Sequence, residues 1–335
     1  MKLSHAQISD IAFGAAYISN DNQRTVFHRF TKAQEEFYKT VSDDFYNKCF
    51  ATSGVHLDFY TNSRYIELKV FVKQRSSRRF LSHTIFADGT HVGSLDARFE
   101  DIPGTLSSGY LSGRFALGSD NRSRRISVFL PWSFSSEICE LTIEDGSTLS
   151  PALKKIKMIC FGDSITQGYD AEIAHNPYAT AIANELDANA RNRAIGGERF
   201  RPDLAKLADD GFEPDVITVA YGTNDWCVET SREAFEKNCS GFYRELTENY
   251  PKAKIFAISP IWRADNSIET SVGKFEYVSE FIKSFAEGYS NITFIDGYRF
   301  VPQDTELFGD KYLHPNDEGF KYYAKNLIKE IKKYL

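Results

Sequence analysis

The spacing of apolar residues changes partway along the chain, and this change constrains the fold more than any other feature of the 335 residues. From about Val55 to Ile143, apolar residues recur at every second position, as in the run Ile66, Leu68, Val70 and Val72. A period of two is typical of strands with one buried face. Turn signals such as Asp88-Gly89 separate the short runs. Residues 1–150 are therefore predicted to form an all-β, sandwich or jelly-roll-like accessory domain.

A different pattern begins after residues 145–156, which lack an apolar period and contain Gly, Ser and Pro, as domain boundaries do. From residue 157 onward, short apolar runs alternate with segments of helical spacing. This alternation predicts an α/β domain over residues 155–335, with a parallel sheet covered by helices on both faces. Ligands of such sheets bind beyond the carboxyl ends of the strands.

Four short segments follow predicted strands of this second domain. Ser164 lies in a Gly-Asp-Ser turn directly after the apolar run 157–161. Gly197 ends a second segment, Asn224 follows a run that reads as a buried strand, and His314 comes just before the last predicted helix. Each segment alone is more typical of an ordinary turn or cap. Together they bring a hydroxyl, backbone N–H groups, an amide and an imidazole to one edge of the sheet.

These groups are the components of acyl transfer. A serine hydroxyl is a weak nucleophile at neutral pH and needs a base whose pKa lies near the working pH, and histidine's reference value is about 6.5. Backbone N–H groups and an asparagine amide stabilise the oxyanion that forms during attack. Asp310, four residues before His314, is a possible acceptor for the second imidazole nitrogen.

The four segments, in this order, resemble the Ser, Gly, Asn and His blocks of the SGNH, or GDSL, hydrolase superfamily. The resemblance covers roughly residues 155–335 and implies a three-layer α/β/α domain. It further implies that Ser164 is the nucleophile and that His314 is the general base. The implied oxyanion hole consists of the Ser164 N–H, the Gly197 N–H and the Asn224 side chain.

The aspartate of the triad departs from the family pattern. The family usually places it three residues before the histidine, where this chain has Lys311, and Asp310 stands one residue earlier. A lysine cannot accept a hydrogen bond from the imidazole. Either the loop carries one extra residue and Asp310 still orients His314, or a Ser-His dyad works with a backbone carbonyl as the acceptor.

The order of the two domains resembles that of the family 2 carbohydrate esterases, acetyl esterases in which a jelly roll precedes the catalytic domain. Trp226 follows Asn224 closely, and Trp262 with Arg263 follows the predicted strand 254–259 at the same edge of the sheet. We expect these three residues to bind substrate, because indole faces suit sugar rings. The alternative is that each tryptophan packs a domain interface.

The predicted function is a serine esterase that removes a short acyl group, in the first instance acetyl, from a sugar or oligosaccharide through an acyl-enzyme, without cofactor or metal. One alternative is a broad short-chain esterase or lysophospholipase, whose acyl pocket would be long and aliphatic. A second alternative is a carbohydrate-binding protein that keeps the fold without turnover. The displaced aspartate favours this last alternative, whereas the presence of Ser164 and His314 counts against it.

Composition argues against other partners. A net charge of -6 does not favour nucleic acid binding. The five cysteines show no C-x-x-C spacing, so neither a disulfide framework nor a zinc site is expected. The first ten residues lack the apolar centre of a signal peptide, and no apolar run approaches the length of a membrane span. A cytoplasmic protein with no membrane partner is expected, and its oligomeric state stays open.

Overall fold

The chain divides into two units, neither of which is one continuous stretch of sequence. The structure is a computed structural model that describes residues 1–98, 104–105, 108–209 and 211–335. The first unit comprises Met1–Thr31, Val41–Lys154 and Glu172–His175, and the second comprises Lys32–Thr40, Lys155–Ala171 and Asn176–Leu335. The main division therefore falls between Lys154 and Lys155, within the boundary segment that the sequence indicates, and two short segments belong to the other unit.

Two antiparallel sheets make up most of the first unit. The elements up to residue 151 are α1 His5–Asp10, β1 Ala12–Phe13, β2 Tyr17–Asp21, β3 Arg24–His28, α2 Lys32–Val41, α3 Asp43–Cys49, β4 His56–Thr61, β5 Tyr65–Gln74, β6 Phe80–Ala87, β7 Thr90–Arg98, β8 Gly104–Thr105, β9 Ser108–Ala116, β10 Arg124–Phe129, β11 Phe134–Ile143 and β12 Ser150–Pro151. One sheet has the order β1-β4-β10-β6-β7, with β12 beside β4, and the other has the order β2-β3-β11-β5-β9-β8. Along the chain, β4, β6, β7 and β10 lie in the first of these sheets and β5, β9 and β11 lie in the second, so the chain crosses repeatedly between the two.

One apolar core joins these two sheets. From β5 it takes the alternate residues Ile66, Leu68, Val70 and Val72. From β10 in the other sheet it takes Ile126 and Val128. Each of these side chains is at most 1% exposed, whereas Lys69, between two of them, is exposed. The period-two pattern therefore marks the inward face of the strands, and the predicted β-sandwich is confirmed.

The helices of this region were not predicted, and their caps explain them. Ser4 accepts a hydrogen bond from the Gln7 N–H at 3.3 Å, and the Gln7 side chain accepts one from the Ser4 N–H at 2.9 Å, which closes a capping box at the start of α1. Ser42 likewise accepts from the Phe45 N–H at 3.1 Å and begins α3. Both helices are short, so their sequences show little apolar periodicity.

The second unit is built around a five-stranded parallel sheet with the order β14-β13-β15-β16-β19. Its elements are β13 Ile156–Gly162, α4 Ser164–Gln167, α5 Tyr178–Glu185, β14 Ala188–Asn192, α6 Pro202–Ala205, β15 Val216–Ala220, α7 Thr223–Val228, α8 Arg232–Asn249, β16 Lys254–Ile258, β17 Glu269–Thr270, β18 Gly273–Lys274, α9 Phe275–Ala286, β19 Ile292–Ile295, the 3-10 helix Thr305–Leu307 and α10 Asp317–Ile331. The predicted α/β/α fold class is confirmed.

The long helices bury the faces that their apolar spacing predicts. The buried residues of α8 include Phe235, Phe242, Tyr243 and Leu246, and those of α10 include Phe320, Tyr323, Leu327 and Ile331. Buried residues at this helical spacing are typical of a helix that packs one face against a sheet. The sheet is thereby held rigid, and the loops at the carboxyl ends of its strands are attached to a fixed frame.

Helix α2 shows why the second unit is discontinuous in sequence. The Gln34 side chain donates to the Asp209 carboxylate at 3.0 Å and to the Leu207 carbonyl at 2.8 Å. Asp209 also accepts from Arg191 at 2.9 Å and from Arg193, whose side chain is fully buried. The two hydrogen bonds of Gln34 therefore attach α2 to a buried charge cluster whose carboxylate, Asp209, lies 175 residues farther along the chain.

Two further observations bear on the expectations from composition. All five cysteines lie in the described part of the chain and none forms a disulfide there; they are Cys49, Cys139, Cys160, Cys227 and Cys239. Within the described ranges, no helix is both long and apolar enough to cross a membrane. The cytoplasmic location stays a prediction.

The turn after β13 has room only for glycine at position 162. A Cβ atom added to Gly162 would lie 1.9 Å from the Thr166 hydroxyl oxygen and 2.5 Å from its Cβ. Thr166 cannot move away freely, because its hydroxyl is hydrogen-bonded at 2.6 Å to the buried Tyr178 hydroxyl. This close packing sets the position at which α4 leaves the strand.

Gly162→Ala should therefore lower the free energy of unfolding by about 1–3 kcal/mol through overpacking, and it should displace the following serine. Thermal unfolding measured beside turnover would check both effects. Gly146→Ala serves as the control, because the added Cβ there meets nothing within 4 Å and the only cost is the positive φ of 78°. Equal stability of Gly162→Ala and wild type would contradict this account of the turn.

Candidate active site

Ser164 lies at the first position of α4, directly beyond the carboxyl end of β13. Asp163 caps the helix by accepting a hydrogen bond from the Ile165 N–H at 2.9 Å. The Ser164 side chain is 5% exposed, and its Oγ lies 2.8 Å from Nε2 of His314. A serine hydroxyl at this distance from an imidazole nitrogen can transfer its proton to that nitrogen as it attacks a carbonyl group.

The loop that carries His314 is closed by backbone hydrogen bonds. The Gly309 N–H donates to the His314 carbonyl at 2.8 Å, and the Asn316 N–H donates to the Leu307 carbonyl at 2.9 Å. Asp310 lies inside this loop, and its Oδ2 is 2.6 Å from Nδ1 of His314. The structure thus brings Ser164, His314 and Asp310 together in the order of a Ser-His-Asp relay.

One residue more than in the family pattern separates Asp310 from His314, and a residue with left-handed backbone conformation accommodates it. Lys311, which stands where the family pattern has the aspartate, has φ of 60°. This conformation costs a non-glycine residue roughly 1–2 kcal/mol. Its N–H donates to the Phe308 carbonyl at 3.1 Å, and its side chain pairs with Glu306 at 2.7 Å. The loop therefore turns back at Lys311, and Asp310 reaches the imidazole, which is the first of the two arrangements left open by the sequence.

Hydrogen bonds hold Asp310 in its ionised form. Its Oδ1 accepts from the N–H groups of Tyr312, Leu313 and His314 at 2.9, 2.8 and 3.1 Å. Burial alone would raise the pKa of Asp310, but the hydrogen bonds from the His314 ring and the loop N–H groups outweigh it and hold the pKa well below its ordinary value. Asp310 is therefore a carboxylate at any pH near neutrality.

A second carboxylate, that of Asp170, faces the same side of the imidazole. Its Oδ2 lies 4.0 Å from Nδ1 of His314, which is beyond hydrogen-bond distance. Each of these three residues offers one atom that could bind a metal ion, and the three atoms, from Asp170, Asp310 and His314, lie within 4.8 Å of one another. The hydrogen bond between Asp310 and His314 accounts for two of these atoms, so the group belongs to the relay already described.

The predicted oxyanion donors lie on segments that are hydrogen-bonded to one another. The Gln167 side chain, in α4, accepts from the Gly196 N–H at 2.8 Å, which fixes the glycine loop beside the Ser164 turn. Gly197 follows with φ of 91°. The Asn224 side chain donates to the Glu198 carbonyl at 2.8 Å, and a primary amide has a second N–H. Hydrogen bonds thus connect the Ser164 segment to the Gly197 loop, and that loop to Asn224.

Two buried carboxylates hold the backbone behind these donors. Asp225 accepts from the Phe200 N–H and the Gly222 N–H, both at 3.0 Å. Burial raises the pKa of Asp225 to about 7 and that of Asp163 to about 6, although the N–H groups that they accept from act in the opposite direction. These carboxylates face backbone instead of substrate, so their contribution is to hold the turns at Gly222 and Ile165.

Two of the three predicted substrate-binding residues, Trp226 and Arg263, are buried. Trp226 is fully buried, donates its indole N–H to the Gly273 carbonyl at 2.8 Å and packs against Phe275. The first turn of α7 directs it into the core, so no face of its ring meets solvent. Arg263 is 3% exposed, and its Nε, Nη1 and Nη2 all have protein acceptors, so it cannot bind a substrate oxygen.

Trp262, the third of these residues, stays a prediction. It is only partly buried, and its ring lies 5.4 Å from that of Phe308 at the start of the His314 loop. The sequence analysis also missed Tyr312, which is 37% exposed although its hydroxyl contacts Arg263 and Asp265. Its place two residues before His314 is the only sequence signal that could have identified it.

A known family model matches the part of the chain that carries this site. Residues 160–322 match the model of the GDSL-like Lipase/Acylhydrolase family, a range that contains all four motif segments. A search of curated proteins finds no significant match. The resemblance to SGNH hydrolases is therefore confirmed for this range, and the family match together with the Ser-His-Asp contacts gives this unit an esterase or acyl-transfer function.

Several solved structures share the fold at low sequence identity. The salicylyl-acyltransferase SsfX3, from a tetracycline biosynthetic pathway, has a TM-score of 0.84 at 19% identity and covers 99% of this chain and 97% of its own. The acetyl xylan esterase Est2A, from the rumen bacterium Butyrivibrio proteoclasticus, gives 0.64 at 14%, with 99% and 98% covered. A family two carbohydrate esterase from Clostridium thermocellum, in complex with cellohexaose, gives 0.63 at 17%, with 84% and 93% covered.

Asp310→Asn should lower turnover by about 10⁴-fold, because the amide cannot hold the imidazole in the tautomer that accepts the serine proton. Single-turnover hydrolysis of an aryl acetate measures this loss. Asp304→Asn is the control, because Asp304 caps the 3-10 helix before the His314 loop and asparagine is an equally good cap, so turnover should stay near that of wild type. Near-normal turnover of folded Asp310→Asn would instead support a Ser-His dyad.

Asn224→Ala should lower kcat by about 10²–10³-fold with little change in KM, because one oxyanion donor is lost. Asn291→Ala, at the amino-terminal edge of the sheet just before β19, controls for the general effect of losing an amide. A rise in KM at constant kcat would show that Asn224 contacts the bound substrate and not the oxyanion.

Proposed function

We propose that this chain, whose residues 160–322 form a GDSL-like lipase/acylhydrolase domain, removes short acyl groups, chiefly acetyl, from a sugar or oligosaccharide. The observation that carries the proposal is the 2.8 Å contact between Ser164 Oγ and His314 Nε2, continued by the 2.6 Å contact from Nδ1 to Asp310. The nucleophile, its base and the group that orients the base are thus already in hydrogen-bond reach of one another.

The reaction proceeds in two halves. His314 takes the Ser164 proton as Oγ attacks the carbonyl carbon of the ester, and the resulting oxyanion accepts hydrogen bonds from the Ser164 N–H, the Gly197 N–H and the Asn224 amide. His314 then gives the proton to the ester oxygen of the sugar as its bond to the carbonyl carbon breaks, so the sugar departs as an alcohol and the acyl group stays on Ser164. Water, activated by His314, releases the acid and restores the serine. Asp310 stays ionised throughout and stabilises the imidazolium.

The short acyl group in this proposal is taken from the compared enzymes, one of which is an acetyl xylan esterase. A lysophospholipase would instead prefer long acyl chains, so a series of acyl lengths tests this part of the proposal.

Aromatic side chains near the His314 loop and the compared enzymes support a sugar as the alcohol part of the ester. Trp262 and Tyr312 are both partly exposed, and rings of this kind stack on the apolar faces of sugars. Two of the similar structures are an acetyl xylan esterase and a carbohydrate esterase that binds cellohexaose. We extend their substrate class to this chain.

A second candidate function differs only in the acceptor. The similar structure with a TM-score of 0.84 is an acyltransferase, and it covers nearly the whole of both chains. The same acyl-enzyme would then react with an alcohol or amine in place of water. Both candidates share every step up to the release of the first product, so they are distinguished by what removes the acyl group.

Aryl esters from acetate to octanoate test the reaction class and the acyl length together. Wild type should hydrolyse acetate and propionate and lose at least about 10²-fold in kcat/KM by octanoate, as expected of a site that accepts only short acyl groups. Ser164→Ala should abolish release by about 10⁴-fold or more, whereas Ser267→Ala, an exposed serine on another loop, should not.

Acetylated oligosaccharides and added acceptor alcohols then separate the two candidates. Release of free acetate in the presence of the alcohol supports the esterase, and a transferred ester supports the acyltransferase. Preference for octanoate would overturn the short-acyl proposal. A folded wild type with no serine-dependent release would favour the carbohydrate-binding alternative.

A further inference from the structure

We infer that Arg263, Asp265 and Tyr312 form a clamp that positions His314 relative to the oxyanion donor Asn224. The three residues, called the clamp below, lie between helix α7 and the His314 loop. The inference rests on the proposed acyl-transfer function, because it assigns the clamp a part in that reaction. None of the three touches the reacting atoms in this account, so they are positioning residues.

One side of the clamp binds the start of α7. Arg263 Nη1 donates to the Thr223 carbonyl at 3.1 Å and to the Thr223 hydroxyl at 3.0 Å. The guanidinium group also lies 5.0 Å from the centre of the Trp226 ring. Thr223 is the first residue of α7 and the neighbour of Asn224. Arg263 therefore fixes the turn from which the Asn224 amide projects.

The other side of the clamp binds the His314 loop at Tyr312. Arg263 Nη2 donates to the Tyr312 hydroxyl at 2.7 Å, and that hydroxyl donates in turn to the Asp265 carboxylate. The Ala264 N–H donates to the Tyr312 carbonyl at 3.0 Å, so main chain and side chain are both held. Tyr312 donates its own N–H to Asp310 Oδ1 at 2.9 Å, which connects the clamp to the relay.

The guanidinium group of Arg263 is buried, and its hydrogen bonds to Asp265 fix its orientation. Its side chain is 4% exposed, and Asp265 accepts from Nε at 2.5 Å and from Nη2 at 3.1 Å. The paired carboxylate fixes the plane of the guanidinium group, and a planar fork can hold Thr223 and Tyr312 at the same time. A lysine has a single nitrogen on a flexible stem and cannot make all of these contacts at once.

The clamp sets the distance between the Asn224 amide and the His314 imidazole, which act on the same reacting carbonyl group. Asn224, in the first turn of α7, stabilises the oxyanion while His314, on a loop 90 positions farther along the chain, accepts the serine proton. A displacement of about 1 Å between catalytic groups lowers turnover by about 10²-fold even when the substrate still binds. Loss of the clamp is therefore expected to reduce kcat and leave KM nearly unchanged.

Tyr312→Phe is the sharpest test, because it removes the hydroxyl that Arg263 and Asp265 contact and keeps the ring. We expect kcat for an aryl acetate to fall by about 10- to 100-fold, with KM within about two-fold of wild type. Tyr322→Phe, an exposed tyrosine on α10, is the matched control and should keep wild-type kinetics. Thermal unfolding of both variants separates a positional effect from a general loss of stability.

A double-mutant cycle tests whether Arg263 and Tyr312 act together. Arg263→Lys should also lower kcat, and Arg263→Lys combined with Tyr312→Phe should be little worse than the worse single variant, because both remove the same contact. Additive losses would overturn the clamp. A rise in KM with unchanged kcat in Tyr312→Phe would overturn it too, because the tyrosine hydroxyl would then bind substrate instead of positioning His314.

The labelling of Ser164 by a fluorophosphonate distinguishes failure of the clamp from failure of the proposed function. Wild type should be labelled rapidly and Tyr312→Phe more slowly, in proportion to the fall in kcat. A reactive wild type with an equally reactive, equally active Tyr312→Phe overturns the clamp alone. A folded wild type that neither labels nor hydrolyses any aryl ester overturns the proposed function, and the clamp with it.

Discussion

The hydrogen bond between Ser164 and His314 joins residues 150 positions apart, and the rest of the second unit serves to make that contact reproducible. The serine depends on where β13 ends, which the lack of space at Gly162 decides. The histidine depends on a loop closed by the hydrogen bonds of Gly309 and Asn316. The Gly162 turn and the His314 loop are far apart in sequence. The parallel sheet and the helices packed on it therefore bring Ser164 and His314 together.

This precision is achieved with buried charge, which has a cost. Burial raises the pKa of Asp225 to about 7, so the folded state holds that proton more tightly than the unfolded chain does. Stability contributed by the protonated form is therefore lost as pH rises from the ordinary carboxyl value towards 7. Asp310 has the opposite sign, because its pKa is depressed and its contribution is lost only in acid. Ionised Asp225, behind the oxyanion donors, therefore lowers the free energy of unfolding, whereas ionised Asp310, beside His314, raises it.

The sequence predicted the sheet, the sandwich and the four motif segments, because each depends on periodicity or on short-range turn chemistry. Side-chain direction was not predictable in the same way. Trp226 follows Asn224 by two residues, but a helix begins between the strand and the tryptophan, and its first turn rotates the indole into the core. Arg263 was placed at the correct edge of the sheet, yet its partners Thr223 and Tyr312 are distant in sequence. The reach of Asp310 was left open because it depends on the left-handed backbone of Lys311, which spacing alone does not reveal.

The attachment of α2 to the second unit means that sequence order and physical domain do not coincide. A fragment that begins at Lys155 would contain every motif of the relay but would lack Gln34, and the carboxylate of Asp209 would lose one of its donors. Recombination that exchanged the regions on either side of that position would separate a helix from the core it completes. Within this architecture the two segments are constrained to be inherited together, although more than a hundred residues of another unit lie between them.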